Sequence, residues 1–412
     1  MIFKIEDRII FATLHGSHAY GMAKEGSDVD IKGVAIPPKS YFLGFNDSFQ
    51  QFEGEVPRDF HLFDDKYVLT GETYIQKIED MVGRKIPKEE KLDSTIYDIR
   101  KFFKLASVCN PNIIEVLFTD PSHHVVSSVA WKKILEHKDL FISARAKFTF
   151  SGYAFSQLKR IKTHKSWLMN PLERKPQRSD FDLPEQHVIP KEQRDAANAF
   201  IVKRVNEWIF IPDEIPKDIL ISVREQTAKA IREIWEGMAM KSYVLEDGNY
   251  IPMVPPLGEM NEYDEGVLYN AAGNFLGYST NFLEVLERER KYKAALRQYN
   301  QYQEWKKNRN PVRAEMEKKY GFDVKHGAHL VRLLRMAKEI LVEGKVIVKR
   351  PDAEELLSIR GGAWTYDQLI EWADKQQEEI NNIYDNKKYV VPRVPKINDL
   401  NDLCQDVVEM VL

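Results

Sequence analysis

The first hydrophobic runs of the chain follow patterns that are typical of β-strands. The segment 8–14 contains the β-favouring run Ile9-Ile10-Phe11 and ends at Gly16. A second run covers 28–36 and stops at Pro37-Pro38. Because short apolar runs bounded by glycine and proline favour extended structure, these two segments predict the opening of a small sheet.

Further along the chain, the apolar residues recur at helical spacing. Residues between 99 and 106 predict a helix over 96–108, and 92–96 is a strand end or a helix cap. Asn110-Pro111 breaks this helix before a short one that starts at Ile113. Beyond residue 128 helical patterns dominate, with predicted helices over 128–137, 143–167, 191–208, 216–238, 281–307, 324–344 and 366–386.

Between these helices lie two segments without a regular pattern. The segment 170–190 carries four prolines and many charges, which is typical of a linker or a surface excursion. The segment 242–279 is rich in Gly, Asn, Tyr and Pro and is predicted to be irregular. The patterns together predict an α+β fold, with a small sheet-containing domain followed by a mainly helical region.

Composition narrows the class of protein. A chain of 412 residues has room for two or more domains, since single cores stop growing near roughly 250 to 300 residues. The net charge of −3 argues against a globally basic nucleic-acid coat and leaves only a local basic patch for such a partner. Cys109 and Cys404 have no metal-ligand spacing, so neither a disulfide framework nor a zinc site is indicated. No apolar run or signal sequence points to a membrane, and a cytoplasmic protein is expected.

Candidate chemistry begins with two aspartates on one predicted strand. Asp28 and Asp30 are two residues apart, so an extended backbone places both carboxylates on the same face. Two close like charges favour a cation beside them. The preceding turn at Gly16-Ser17 has no Cβ at its first residue, which lets backbone N–H groups approach an anion. Together these features predict a site for a metal-bound polyphosphate.

These motifs also resemble a known family. The turn Gly16-Ser17-His18-Ala19-Tyr20-Gly21 and the following Ser27-Asp28-Val29-Asp30 resemble the nucleotidyltransferase superfamily that shares its fold with DNA polymerase β, and more closely its RNA-repair-associated branch. Blocks at 105–117, 151–157 and 325–333 extend the resemblance to 8–167 and 320–400. It implies a small mixed-sheet nucleotidyltransferase domain at 1–125 and a mainly helical domain at 126–412, with 168–310 an insertion.

The resemblance implies metal-dependent transfer of a nucleoside monophosphate from a nucleoside triphosphate to an acceptor hydroxyl, with release of pyrophosphate. Asp28 and Asp30 would bind Mg²⁺ or Mn²⁺, and Gly16 and Ser17 would hold the terminal phosphates. An RNA end is the favoured acceptor. The alternatives are transfer to a protein or a small molecule, or a non-catalytic nucleotide-binding or antitoxin-like module.

The superfamily has a third carboxylate on a neighbouring strand, and three residues are candidates for it here. Asp93 is the first choice, because it lies at the end of a plausible strand just ahead of the 96–108 helix. Asp98 and Glu115 are the second and third choices. A helix N-terminal acid that only favours the helix dipole is an equally good interpretation of Asp93.

A late helix offers the cations that a triphosphate or an acceptor phosphate would need. Lys325, His329, Arg332 and Arg335 follow helical spacing on one face, while leucines occupy another. The resemblance assigns nucleotide binding to Lys325, His329 and Arg332; the alternative is a solvated helical face. The helix over 143–167 repeats the pattern more weakly, with Tyr153, Gln157, Arg160 and His164.

Overall fold

The structure is a computed structural model, and it describes residues 3–45, 48–63, 69–208, 242–244, 250–252, 269–270, 272–274 and 276–412. The chain forms two compact units, one made of 1–169 with 310–412 and the other of 170–309. The second unit nearly coincides with the segment predicted as an insertion, and the domain assignment itself stays a prediction. The predicted helix over 216–238 and most of 242–279 lie outside the described residues.

A five-stranded mixed sheet is the centre of the first unit. The strands of the described chain are β1 (Ile9–His15), β2 (Asp30–Ala35), β3 (Gln51–Gly54), β4 (His61–Phe63), β5 (Leu69–Thr73), β6 (Asp93–Asp98), β7 (His124–Ser127), β8 (Ser242–Val244) and β9 (Tyr250–Pro252). The sheet has the order β3-β6-β2-β1-β7, in which β2 is antiparallel to β1 and parallel to β6. Two short hairpins, β4-β5 and β8-β9, lie outside this sheet.

Helices make up most of the described chain after this sheet, so the predicted α+β fold is confirmed. The predicted helices that fall within the described residues are present, with ends that shift by a few residues. The helices are α1 (Gly16–Ala19), α2 (Ser40–Leu43), α3 (Tyr74–Val82), α4 (Ile99–Ser107), α5 (Pro111–Leu117), α6 (Val129–Glu136), α7 (Ala146–Met169), α8 (Lys191–Trp208), α9 (Thr280–Asn308), α10 (Pro311–Tyr320), α11 (Val324–Glu343), α12 (Ala353–Arg360), α13 (Tyr366–Asp385) and α14 (Ile397–Glu409).

The two faces of the sheet contact different layers. Val34 of β2 belongs to a core that includes residues of α4, α5, α7 and α11. Ile31, on the opposite face of the same strand, packs in a second core with residues of α3. Since side chains alternate along a strand, Asp30 and Lys32 lie on the same face as Val34. The polar end of β2 is therefore directed toward the helical layer formed by α7 and α11.

The structure corrects the predicted helix start at residue 96. Residues 93–98 form β6, which pairs in parallel with β2, and α4 begins only at Ile99. The Asp98 side chain accepts hydrogen bonds from the backbone N–H groups of Arg100 and Lys101, so this residue caps the helix. Pairing with β2 continues the strand through residues 96–98, where the local sequence pattern predicts a helix.

The second unit contains α8 and α9 and the proline-rich segment predicted as a linker. Glu289 of α9 accepts hydrogen bonds from Arg178 at 2.7 Å and from Arg194 at 2.7 Å. Burial acts to raise the pKa of Glu289, but the hydrogen bonds from Arg178 and His187 and the charge of Arg194 lower it to about 2. Part of this segment is therefore tied to α9 by ion pairs.

No helix in the described ranges has both the length and the apolar character that crossing a membrane requires.

Candidate active site

A cavity of about 540 Å³ lies in the first unit where β2 begins. Its walls come from α1, from residues 22–30, from α7, from the start of α11 and from the end of α12. Of the residues predicted to bind nucleotide or metal, those that line it are Gly16, Ser17, Asp28, Asp30, Lys325, His329 and Arg332. The fold thus brings the early motif and the late helix, about 300 residues apart, to one cavity.

The strand register places a third carboxylate beside Asp30. Asp30 opens β2 and is paired with Asp93, which opens the parallel strand β6. In register, neighbouring side chains point to the same face of a sheet, so Asp93 is adjacent to Asp30. Burial raises the pKa of Asp30, and the negative charges of Asp28 and Asp93 add to this rise, against the opposing effects of Lys32 and Lys325. The three carboxylates therefore lie close enough to affect one another.

The other two candidates for the third carboxylate face elsewhere. Asp98 lies at the far end of β6, opposite Ala35, and its carboxylate is bonded to Arg100. Glu115 is only 1% exposed and is held by Tyr20 and Arg332. Sequence spacing left the choice open, and the register of β2 with β6 favours Asp93; its role as a metal ligand stays a prediction.

The acids suit a magnesium ion that is completed by its substrate. Among the described residues, no group of three or more His, Cys, Asp or Glu side chains is arranged to hold a metal by itself. Mg²⁺ is commonly held by one or two carboxylates together with substrate phosphates and water. Asp28 and Asp30 both line the cavity, and the pKa of Asp30 is raised first by burial and then by the charge of Asp28, a repulsion that a cation would relieve. The donor set therefore fits a metal that arrives with a phosphate ligand.

The glycine turn is in direct contact with this carboxylate. Residues Gly16–Ala19 form one helical turn, and Gly16 has φ of +63°. A Cβ at this position would lie 2.6 Å from Oδ2 of Asp30. In the described part of the chain the Ser17 hydroxyl has no hydrogen-bond partner, although the residue lines the cavity. The turn is thus held against Asp30 with a hydroxyl open to a ligand.

Gly16→Ala is expected to remove most of the nucleotidyl-transfer activity that the motifs imply, because the new Cβ would displace the Asp30 carboxylate. The positive φ should also cost about 1–2 kcal/mol of stability. The matched control is Gly83→Ala, since Gly83 has φ of +70° but no atom within 4 Å of a Cβ. Urea unfolding and nucleotidyl transfer should show similar stability losses for both variants and a large activity loss for Gly16→Ala alone. Equal activity in the two variants would contradict the predicted contact.

Arg332 has contacts different from those that the sequence predicts. It is 2% exposed, its Nη1 donates to Glu115, and its guanidinium lies 3.7 Å from the centroid of the Tyr20 ring. Tyr20 donates to the other oxygen of the same Glu115 carboxylate. Arg332 therefore lies inside the protein and supports the cavity wall through Glu115 and Tyr20, and its role in binding nucleotide stays a prediction. Arg335 is bonded to Asp352 and Glu355.

His329 is fixed in one neutral form by this network. Nη2 of Arg332 donates to Nδ1 of His329 at 3.0 Å, which assigns the ring proton to Nε2. Burial, followed by the positive charge of Arg332, lowers the pKa of His329 to about 3. His329 lines the cavity, and Nε2 has no protein partner among the described residues. The ring thus presents an uncharged N–H donor suited to a phosphate oxygen.

The ring of His329 is expected to remain neutral, with Nε2 protonated, from pH 8 down to pH 5. The unfolded chain binds a proton here below its ordinary pKa of 6.5, while the folded chain does not until about pH 3. This residue therefore makes the free energy of unfolding fall as the pH drops from about 6.5 toward 3. Imidazole ¹⁵N shifts measure the tautomer, with His329→Gln identifying the resonance. A titration of that resonance near pH 6.5 would contradict the expectation.

No pattern in the sequence indicated that Arg360 would line the cavity. Arg360 ends α12 and lines the cavity beside residues of α7 and α11. It belongs to no motif and no periodic cationic face, so only the packing of α12 against α11 brings it there. Tyr20 belongs to the glycine-turn motif at 16–21, and its hydrogen bond to Glu115 connects this motif with the separate block at 105–117.

Comparison with known proteins agrees with this geometry. Residues 3–170 match the model of the family described as the RNA repair pathway DNA polymerase beta family. The matched segment is similar to this polymerase β-like family. The resemblance predicted from the motifs is confirmed over these residues, and the cavity acids Asp28 and Asp30 lie within the RNA-repair polymerase β segment. The late block at 325–333 lies outside it.

An uncharacterized 38.9 kDa protein from the nrdC-mobD intergenic region of enterobacteria phage T4 is 26% identical over 152 residues. The aligned part covers 36% of this chain and 38% of the phage protein, so most of that relative is not spanned. No solved structure matches the chain. The polymerase β-like assignment thus rests on the family model, and the family is one of nucleotidyltransferases.

Proposed function

We propose that this protein transfers a nucleoside monophosphate from a nucleoside triphosphate to an acceptor hydroxyl, with an RNA end as the favoured acceptor and pyrophosphate as the second product. One observation carries the proposal. The paired acids Asp28 and Asp30 and the Gly16-Ser17 turn line the same cavity as Lys325 and His329. Carboxylates, a lysine cation and a neutral N–H donor in one cavity suit a metal-bound triphosphate.

The acids would hold the metal and the turn would hold the phosphates. Asp28 and Asp30 line the cavity, and Asp93 is in register with Asp30. Their carboxylate oxygens are of the kind that Mg²⁺ or Mn²⁺ binds. A bound ion would reduce the negative charge of the phosphates toward an attacking hydroxyl. Burial is the main cause of the raised pKa of Asp30, and the charges of Asp28 and Asp93 add to it; a cation between the acids would remove this repulsion.

The remaining residues would position the nucleotide. The Ser17 hydroxyl and the Nε2–H of His329 donate hydrogen bonds, and the Lys325 ammonium supplies a positive charge on the same cavity. Arg332 is a positioning residue, because it acts on His329 through Nδ1. Positioning and charge stabilisation are the main contributions of a protein to phosphoryl-type transfer.

Label transfer tests the proposal directly. The full chain is incubated with Mg²⁺, one α-labelled nucleoside triphosphate at a time, and total RNA. Label in RNA is the expected result, and digestion to nucleoside 3′-monophosphates identifies the end that received it, because a nucleotide added to a 3′ end leaves its labelled phosphate on the former terminal nucleotide. Label in the protein fraction or in a small molecule would overturn RNA as the acceptor but leave the transferase. Absence of label from every component with all four nucleotides, and with Mn²⁺ in place of Mg²⁺, would overturn the activity.

A further inference from the structure

Two arginines on the helical wall of the cavity have no hydrogen-bonding or ion-pair partner among the described residues. Arg160 lies on the exposed side of α7, and Arg360 ends α12. Both line the cavity. Across the part of the chain that the structure describes, neither guanidinium has a hydrogen bond, an ion pair or a ring contact. They are therefore available to a ligand.

Neighbouring arginines of the first unit differ from these two. Arg332 is bonded to Glu115, and Arg335 to Glu355. Arg350 donates to both oxygens of Glu339, at 2.6 and 2.7 Å. A guanidinium is always charged, and its donors fit the oxygens of a phosphate. Two unpaired guanidiniums on one cavity thus point to an anionic ligand rather than to a structural role.

A buried amide on the same wall gives a second observation. Gln157 lies three residues before Arg160 on α7, so both residues are on one face of the helix. Gln157 is only 3% exposed and lines the cavity, yet its Oε1 has no hydrogen-bond partner. A buried polar atom without a partner is unfavourable, because it has lost its hydrogen bonds to water. A bound group or water at this wall would remove that cost, since the amide can present either an acceptor or a donor.

We propose that Gln157, Arg160 and Arg360 form a second phosphate site on the helical wall of the cavity. Its ligand is a phosphate ester, either a backbone phosphate of the acceptor strand or the triphosphate of the nucleotide. The assignment rests on the proposed function, in which Asp28, Asp30 and the Gly16-Ser17 turn already hold the metal and terminal phosphates. A separate pair of cations is what a phosphate-bearing acceptor would need, and a neutral small molecule would not use it.

Equilibrium binding of the full chain distinguishes the two sources. The variants are Arg160→Gln, Arg360→Gln and the double variant, and Lys159→Gln is the control, since this neighbouring α7 lysine is exposed and does not line the cavity. The two probes are a single-stranded oligoribonucleotide without nucleotide, and Mg²⁺ with a nucleoside triphosphate without RNA. Binding is measured without turnover, so this test gives an answer whether or not the protein shows transferase activity.

An acceptor site predicts that each arginine variant weakens oligoribonucleotide binding about 10-fold and lowers the slope of log K against log salt by about 1. Nucleotide affinity is then unchanged. A triphosphate site predicts the reverse pattern, a weaker nucleotide affinity with unchanged oligoribonucleotide binding. Arg160→Lys keeps the charge and should recover part of the loss in either case. Unchanged affinity for both probes in the double variant, with an unchanged unfolding midpoint, would overturn the site.

Discussion

Asp30→Asn is expected to lower the rate of nucleotidyl transfer by about 10²–10³-fold, while the protein stays folded. Removing a metal-binding carboxylate should lose several kcal/mol of charge stabilisation, which corresponds to a rate factor of that order. The raised pKa of Asp30 reflects burial and repulsion from Asp28 and Asp93, so a neutral side chain relieves repulsion in the unloaded protein. The loss should therefore appear in activity and not in the midpoint of urea unfolding.

Three further variants make this measurement specific. Asp28→Asn should show a comparable loss of activity, and the Asp28→Asn/Asp30→Asn double variant should show no transfer above background. Asp93→Asn tests whether Asp93 is the third metal-binding carboxylate, because the register places it beside Asp30. Asp80→Asn is the control, an exposed acid on α3 away from the cavity. Persistent transfer by the double variant would sink the proposed mechanism.

Arg332→Met is expected to destabilise the first unit by about 3–5 kcal/mol, the cost of leaving a buried charge unpaired. Arg332 and Glu115 are 2% and 1% exposed. Among the described residues, the Glu115 carboxylate would retain the hydrogen bond from Tyr20, with His15 Nε2 4.0 Å away. Adding Glu115→Gln to this variant removes the unpaired charge, so the double variant should lose less stability than the two single losses added together. Urea unfolding of the four proteins measures this coupling.

Arg335→Met is the comparison for this experiment. Arg335 lies three residues further along α11, and its side chain is 20% exposed, with partners that are 18% and 47% exposed. Water screens such pairs, and about 1 kcal/mol or less is expected. The Arg332 variant should also free Nδ1 of His329, so that loss of activity accompanies loss of stability. Equal stability losses at Arg332 and Arg335 would contradict a buried network.

The local pattern of the sequence was sufficient for β1, β2 and the longest helices, but not for the short strands β3, β4, β5 and β7. The predicted elements follow from short apolar runs and from helical periodicity, which act over a few neighbouring residues. The pattern placed Asp28 in a strand that begins only at Asp30, and it was also wrong between residues 96 and 98. There, pairing with β2 and the cap by Asp98 decide where the strand ends and α4 begins. Tertiary pairing overrode the local helical preference at these positions.

The residues of the candidate site also fall into those that the sequence indicates and those that only the tertiary structure brings together. The sequence by itself determined the early motif, because Gly16, Ser17, Asp28 and Asp30 lie close together along the chain, and it marked α11 as a cationic helix. Only the tertiary structure decided that Asp93 is adjacent to Asp30 and that Arg332 is bonded to Glu115, a residue 217 positions away. It also brought Arg360 to the cavity. These contacts depend on strand register and on helix packing between distant segments, which no local pattern encodes.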